Sequence, residues 1–252
     1  MKIVSVIPAR MGSTRFPGKP LAPILGRAMI EHVYRRTAMC PALDDVFVAT
    51  CDQQIMEAVN AFGGRAIMTS SSHQRASDRV AEAAENFSAD IIVMVQGDEP
   101  MTHPQMIESS VAPLRVGDKQ IACVNLTSRI QTEEEFADPN TIKVVMDADG
   151  FAVYMSREPI PTRHIQSFDQ LATFKQVCII PFTAASLQKF IRLSPTPLEV
   201  AESIDMLRFI EHGYKVKMVQ TAYATHAVDT LEDLKLVEEL LQKDPLTREY
   251  LF

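Results

Sequence analysis

Through the first half of this chain, short β-branched and apolar runs alternate with segments of helical periodicity, and that rhythm leaves few folds open. Ile3 to Ile7, Val46 to Thr50, Ala66 to Met68, Ile91 to Val95 and Ile121 to Leu126 read as strands. Met29 to Thr37, Gln54 to Phe62, Asp78 to Asn86 and the stretch after Pro104 read as helices between them. Repeated strand, helix, strand implies crossover units, because parallel neighbours can be joined only by a chain that returns across the sheet. The expected fold class is α/β, a mostly parallel, Rossmann-like sheet flanked by helices.

After residue 126 the order changes. Glu133 to Glu135 reads as a helical turn, Ile142 to Met146 as a strand, and Asp149-Gly150 as the turn of a hairpin leading into Phe151 to Met155. Residues 160–173 carry prolines and polar groups without periodicity and predict a mobile loop, followed by a strand from Gln176 to Phe182. Thr196 as N-cap, Pro197 at the first helical position and Glu199 three residues past the cap predict a helix over 197–212, ended by Gly213. Lys215 to Gln220 alternates as a strand, and Thr230 with Asp233 caps a final helix. No linker divides the 252 residues, so one domain is expected, with a smaller lobe at about 127–195.

Composition narrows the function by exclusion. A net charge of -7 argues against a protein that holds nucleic acid by general phosphate neutralisation, which needs a clustered basic face. Cys40, Cys51, Cys123 and Cys178 stand far apart with no Cys-x-x-Cys pair, so they read as reduced thiols and not as a zinc site or a disulfide framework. The apolar start is cut short by Pro8, far from a signal peptide, and no run approaches a membrane span. A cytoplasmic protein is expected, with no membrane or nucleic-acid partner.

The most informative segment follows the first strand: Pro8-Ala9-Arg10-Met11-Gly12-Ser13-Thr14-Arg15-Phe16-Pro17-Gly18-Lys19-Pro20-Leu21. Ligands of open α/β sheets bind beyond the carboxyl ends of the strands, where this loop lies. Arg10, Arg15 and Lys19 offer forked and point charges to a triphosphate, while Gly12, Ser13 and Gly18 permit close backbone approach. The pattern is neither a Walker loop nor a Gly-x-Gly-x-x-Gly turn. Asp98, held at the end of the apolar strand Ile91 to Val95, reads as a position for a hard cation such as Mg²⁺. Asp229, just before the last helix, reads by itself as helix-dipole compensation.

The 8–21 segment resembles the signature of the 3-deoxy-manno-octulosonate cytidylyltransferases, and the resemblance recurs in order along essentially the whole chain. It recurs in Val95-Gln96-Gly97-Asp98-Glu99-Pro100, in Pro139-Asn140-Thr141-Ile142-Lys143-Val144-Val145 and in Val228-Asp229-Thr230-Leu231-Glu232-Asp233-Leu234. It implies a magnesium-dependent nucleotidyltransferase that moves CMP from CTP to a 2-keto-3-deoxy sugar acid and releases pyrophosphate, for surface polysaccharide or lipopolysaccharide synthesis. It implies Asp229 as the second magnesium carboxylate beside Asp98, and Arg10 and Lys19 as catalytic cations on the phosphates. Pro8, Ala9, Arg10, Gly12, Ser13, Arg15, Lys19, Ser77, Arg79 and Gln96 would line the nucleotide, and a homodimer is implied, with the smaller lobe serving substrate binding and dimerisation.

The resemblance also implies sugar-acid contacts from Gln96, Arg157, Gln176 and Asp205, and here the chain departs from the family pattern. Gln176-Val177-Cys178-Ile179-Ile180 stands where the family has His-x-Gly-Ile-Tyr, and Asp205-Met206-Leu207-Arg208 stands for Glu-Gln-Leu-Arg. Arg75-Ala76 likewise replaces a Ser-Gly pair before Ser77 and Arg79. Gln176 and Asp205 retain hydrogen-bonding groups, whereas Ile180 and Met206 replace neither a phenol nor an amide. The expected acid is 3-deoxy-manno-octulosonate or an amino-substituted or otherwise modified relative. A spore-coat-type cytidylyltransferase and a non-catalytic nucleotide-binding regulator are the alternatives.

Overall fold

The computed structural model describes residues 1–12 and 16–251, and its contacts divide the chain into two compact units. The first comprises residues 1–108 and 224–252, the second 109–223, a wider span than the lobe expected at 127–195.

The first unit opens with β1 (Ile3–Ala9), the two-residue strands β2 (Pro23–Ile24) and β3 (Arg27–Ala28), and α1 (Met29–Ala38). Then follow β4 (Asp45–Thr50), α2 (Gln53–Ala61), β5 (Ala66–Met68), α3 (Ala76–Ala84), β6 (Ile91–Val95) and α4 (Pro104–Arg115), within which the division falls. The strands lie in the order β5-β4-β1-β6, every neighbouring pair parallel. All of β1 and β6 is buried, which is why both strands read as unbroken apolar runs and not as alternating ones. β2 and β3 form a hairpin turning through Leu25 and Gly26, both at positive φ.

The second unit holds β7 (Ile121–Arg129), α5 (Glu133–Ala137), β8 (Lys143–Met146), β9 (Ala152–Ser156), β10 (Phe174–Val177), β11 (Ile179–Thr183), α6 (Ala184–Arg192), α7 (Pro197–Glu202), α8 (Met206–Glu211) and β12 (Lys215–Gln220). β11, β7, β10, β8 and β9 are antiparallel neighbours, and β12 pairs with β7 in parallel. The hairpin expected around Asp149-Gly150 is β8 and β9. Three expectations change here. The single strand over 176–182 is interrupted at Cys178, giving β10 and β11. The helix over 197–212 is broken at Ser203, which adopts left-handed φ 56 and ends α7 before Asp205 opens α8. The 160–173 stretch has no strand, but Phe168 and Leu171 are buried and Phe168 joins Ile130 and Phe136 in a small core.

The chain returns to the first unit as α9 (Leu231–Lys243) and α10 (Pro245–Leu251). Val237 and Leu241 of α9 pack with Ile24, Met29 and Val228. Arg36 of α1, almost wholly buried, ion-pairs with Asp244 at 2.7 Å and donates to the Thr102 carbonyl at 2.7 Å. One guanidinium thus ties the start of α10 to the chain just beyond β6. Buried His32 spans the Ile24 carbonyl at 2.8 Å and the Tyr250 hydroxyl at 2.7 Å, and burial lowers its pKa.

Candidate active site

The carboxyl ends of β1 and β6 nearly touch. A Cβ on Gly97 would lie 2.7 Å from the Pro8 carbonyl, so only glycine allows the backbone after β6 to close on the backbone of β1. Buried Pro8 and Ala9 act here through main chain and packing. Beyond them Asp52 accepts from the Met11 N–H at 2.8 Å, and the Gly18 N–H donates back to the Met11 carbonyl at 3.2 Å. Gly18, at φ 75, caps a 3₁₀ turn over Lys19–Leu21 that aims the Lys19 stem inward.

Three oxygens converge on the Lys19 ammonium: Asp98 Oδ2 at 2.7 Å, the Val228 carbonyl at 2.7 Å and Asp229 Oδ1 at 3.3 Å. Burial pulls the Lys19 pKa down, but Asp98 and Asp229 more than offset it and the net shift is upward. The arrangement is braced from α9. Asp233 accepts from the Asp229 N–H at 3.0 Å, from the Thr230 N–H at 2.8 Å and from the Thr230 hydroxyl at 2.9 Å, and its other oxygen pairs with His226 at 2.8 Å. Burial alone would raise the Asp233 pKa, yet His226 and these donors lower it. The capping box was legible, whereas the hold of Asp233 on the Asp229 backbone was not, since nothing in a capping pattern shows what the preceding residue does.

These oxygens suit a magnesium ion. Two carboxylates and a carbonyl form a hard donor set, and the ammonium stands in for a cation among them. Among the described residues no three His, Cys, Asp or Glu gather as a metal cluster, so an ion here would take its remaining oxygens from water and substrate, the usual habit of Mg²⁺.

The remaining sequence-derived residues distribute as follows. Arg10 is exposed and forms no ion pair with a described residue, leaving its guanidinium available to a polyanion. Gly12 has open space where a Cβ would stand, so sterics do not require glycine there. Ser13 and Arg15 lie outside the described residues. Gln96 Oε1 is buried without a hydrogen-bond partner, a state that costs free energy until a donor arrives. Ser77 and Arg79 are buried, and the Arg79 guanidinium donates to Thr69 Oγ1 at 2.5 Å and the Ser70 carbonyl at 3.3 Å, pinning α3 to the chain after β5.

Within the second unit, Arg157 donates from Nε to the Glu202 carbonyl at 2.7 Å and from Nη1 to the Pro139 carbonyl at 2.9 Å. Lys143, wholly buried, donates to the carbonyls of Asp138 and Arg157, and burial lowers its pKa. Asn125 gives its amide N–H groups to the Leu126 and Val177 carbonyls, so its oxygen faces Gln176 and fixes that amide as the donor, at 2.5 Å. Gln176 thus keeps its carbonyl oxygen and its second amide N–H for other partners. Asp205 sits at the head of α8.

A parallel α/β sheet with a cationic loop beyond β1 and a carboxylate pair at the same edge defines a nucleotidyltransferase. The sequence model of the family described as cytidylyltransferase matches residues 4–224. The chain is 46% identical over 250 residues to the 3-deoxy-manno-octulosonate cytidylyltransferase of Geobacter metallireducens, covering 95% of this chain and 98% of that one. It is 44% identical over 252 residues to the protein of that name from Geotalea uraniireducens, covering 96% and 100%. The structure of CMP:2-keto-3-deoxy-manno-octonic acid synthetase complexed with CTP superposes with TM-score 0.88 at 38% identity, covering 96% of this chain and 99% of the other. This chain belongs to the 3-deoxy-manno-octulosonate cytidylyltransferase family.

Proposed function

We propose that the protein transfers CMP from CTP to the anomeric hydroxyl of a 2-keto-3-deoxy sugar acid of the 3-deoxy-manno-octulosonate type. The observation that carries this reading is the convergence of Asp98, Asp229 and Lys19, with the exposed Arg10 following β1 in the same loop as Lys19. The anomeric oxygen forms the new bond to the α-phosphorus, the bond from that phosphorus to the bridging oxygen breaks, and pyrophosphate leaves with the electron pair. The hydroxyl proton passes to solvent.

Such a reaction asks the protein mainly for positioning and charge neutralisation. Arg10, with Arg15 and Lys19, would hold the triphosphate, and Gln96 Oε1 would accept a donor from substrate, ending its buried isolation. Asp98 and Asp229 would hold Mg²⁺, with Asp233 keeping the Asp229 backbone in place. When bound, the ion supplies charge neutralisation and polarises the α-phosphate. The Gln176 amide, oriented by Asn125, can both accept from and donate to a sugar hydroxyl and can accept from an ammonium, which keeps amino-substituted acids among the candidates. The homodimer and the cytoplasmic location belong to the same proposal. No helix among the described residues is long and apolar enough to cross a membrane.

The test is pyrophosphate release from each of the four nucleoside triphosphates with Mg²⁺ across a panel of 2-keto sugar acids. Release confined to CTP and an octulosonate supports the reading. CTP binding without release on any acid would favour the regulator instead.

A further inference from the structure

Lys19 stands where a metal ion bound to Asp98 and Asp229 would stand. Its three ammonium donors are all used, on Asp98, Asp229 and the Val228 carbonyl, and its side chain is only 12% exposed. We propose that Lys19 is a resident counter-cation that keeps divalent metal out of the Asp98–Asp229 pair until a polyphosphate draws the ammonium away. The proposal rests on the reading of these two aspartates as metal carboxylates.

The physical case is one of competing cations. Two carboxylates within reach of one nitrogen repel each other unless a positive charge lies between them, and the ammonium supplies that charge. A divalent ion on the same oxygens would face an ammonium at contact distance, so the two positions exclude each other. Metal entering alone must push Lys19 off all three oxygens, leaving a largely buried ammonium without its partners. Metal entering with a triphosphate meets no such cost, because the phosphate oxygens take over the ammonium. The geometry allows the swing: the Lys19 backbone is fixed by the turn after Gly18, while its charge rides on a flexible four-carbon stem with rotatable donors. Metal and nucleotide sites are thereby coupled, and the coupling must run in both directions.

The experiment titrates Mn²⁺ alone into the full-length protein, without nucleotide, by calorimetry. Lys19→Met and Lys19→Gln should bind Mn²⁺ at least about ten-fold more tightly than the unaltered protein, and Asp98→Asn in either background should abolish the gain. Equal Mn²⁺ affinity in the unaltered protein and a folded variant overturns the proposal. Reductive methylation of the unaltered protein, read by mass spectrometry at Lys19, does not depend on any variant folding. Lys19 should be modified as slowly with Mn²⁺ alone as in metal-free buffer, and faster modification with Mn²⁺ alone overturns the proposal. Turnover separates the two readings. No Mn²⁺ gain in the variants alongside turnover of CTP by the unaltered protein sinks only the role given to the lysine, whereas a gain in the variants alongside no turnover on any acid by the unaltered protein upholds that role and sinks the reaction.

Discussion

Lys19 Nζ lies 2.7 Å from Asp98 Oδ2, joining the loop after β1 to the loop after β6 across 79 residues of sequence. The contact holds a cation and a carboxylate at the edge where a nucleotide would meet the sheet. Asp98→Asn keeps the shape and a hydrogen-bonding oxygen for Lys19 but removes the charge. Turnover should fall on the order of 100-fold or more, as for loss of a metal-supporting group, with unfolding little changed. Steady-state kinetics at saturating Mg²⁺ beside a thermal melt checks both halves.

Gly97→Ala should damage the same edge by sterics alone. The added methyl would sit 2.7 Å from the Pro8 carbonyl, a backbone atom that cannot turn aside. The expected loss is about 1–3 kcal/mol of stability, the range for overpacking, together with reduced turnover because Asp98 is the next residue. A denaturant melt measures the first effect.

Asp233→Ala removes the third-residue half of the α9 capping box, the acceptor for the Asp229 and Thr230 N–H groups, and leaves the Thr230 N-cap itself in place. Loss of this half of the capping box costs about 1 kcal/mol, and turnover should also fall as the Asp229 backbone is released. Asp233→Asn, which keeps one acceptor, should recover part of the activity.

The pH dependence of stability has two acid-side windows. His32 has a lowered folded pKa, chiefly from burial, so its contribution is present above the unfolded pKa of about 6.5 and lost as pH falls toward the folded value. Asp233 also has a lowered folded pKa, and its contribution is present above the unfolded value of about 3.9 and lost as pH falls through the folded one. Chemical denaturation between pH 8 and 3 should show stability falling in both windows. Asp233→Asn should reduce the fall in the lower window without abolishing it, because Asp45, Glu82, Glu202 and Glu211 are also held below the usual carboxylate range.

Glu199 and Arg208 form a bidentate pair at 2.8 and 2.6 Å, both side chains nearly or wholly buried. Glu199→Ala leaves a buried guanidinium without its carboxylate and should cost about 3–5 kcal/mol, with the KM for CTP unchanged in the folded fraction.

The parallel strands of the first unit were legible because strands buried on both faces must be written in Ile and Val, as β1 and β6 are. The capping boxes at Thr196 and Thr230 were equally plain, because the cap chemistry is local. Other features had weaker signals. Thr183 caps α6 by accepting from the Ser186 N–H, and Asp244-Pro245 marks the start of α10, but each is a single cue without a long periodic run behind it. The break at Ser203 had no cue, since serine is not a residue that announces a left-handed backbone. At the site, the residue types of the cationic loop and of Asp98 could be read. Their geometry could not, because the contacts of Lys19 with Asp98 and Asp229 join segments far apart in sequence. Arg79 and Arg157 add contacts that motif position did not show: part of each guanidinium bonds Thr69 and Ser70, or Pro139 and Glu202, and the remaining N–H groups are compatible with the substrate contacts the motifs suggested.

Phosphorus NMR of the protein with CTP, Mg²⁺ and 3-deoxy-manno-octulosonate or its amino-substituted relative follows both the bond made and the bond broken. The account predicts that the CTP resonances give way to one phosphodiester resonance of a CMP-sugar and that of inorganic pyrophosphate in equal amounts, and that Asp98→Asn suppresses both. CTP left intact with every acid, or hydrolysed to free CMP without a sugar adduct, would contradict it.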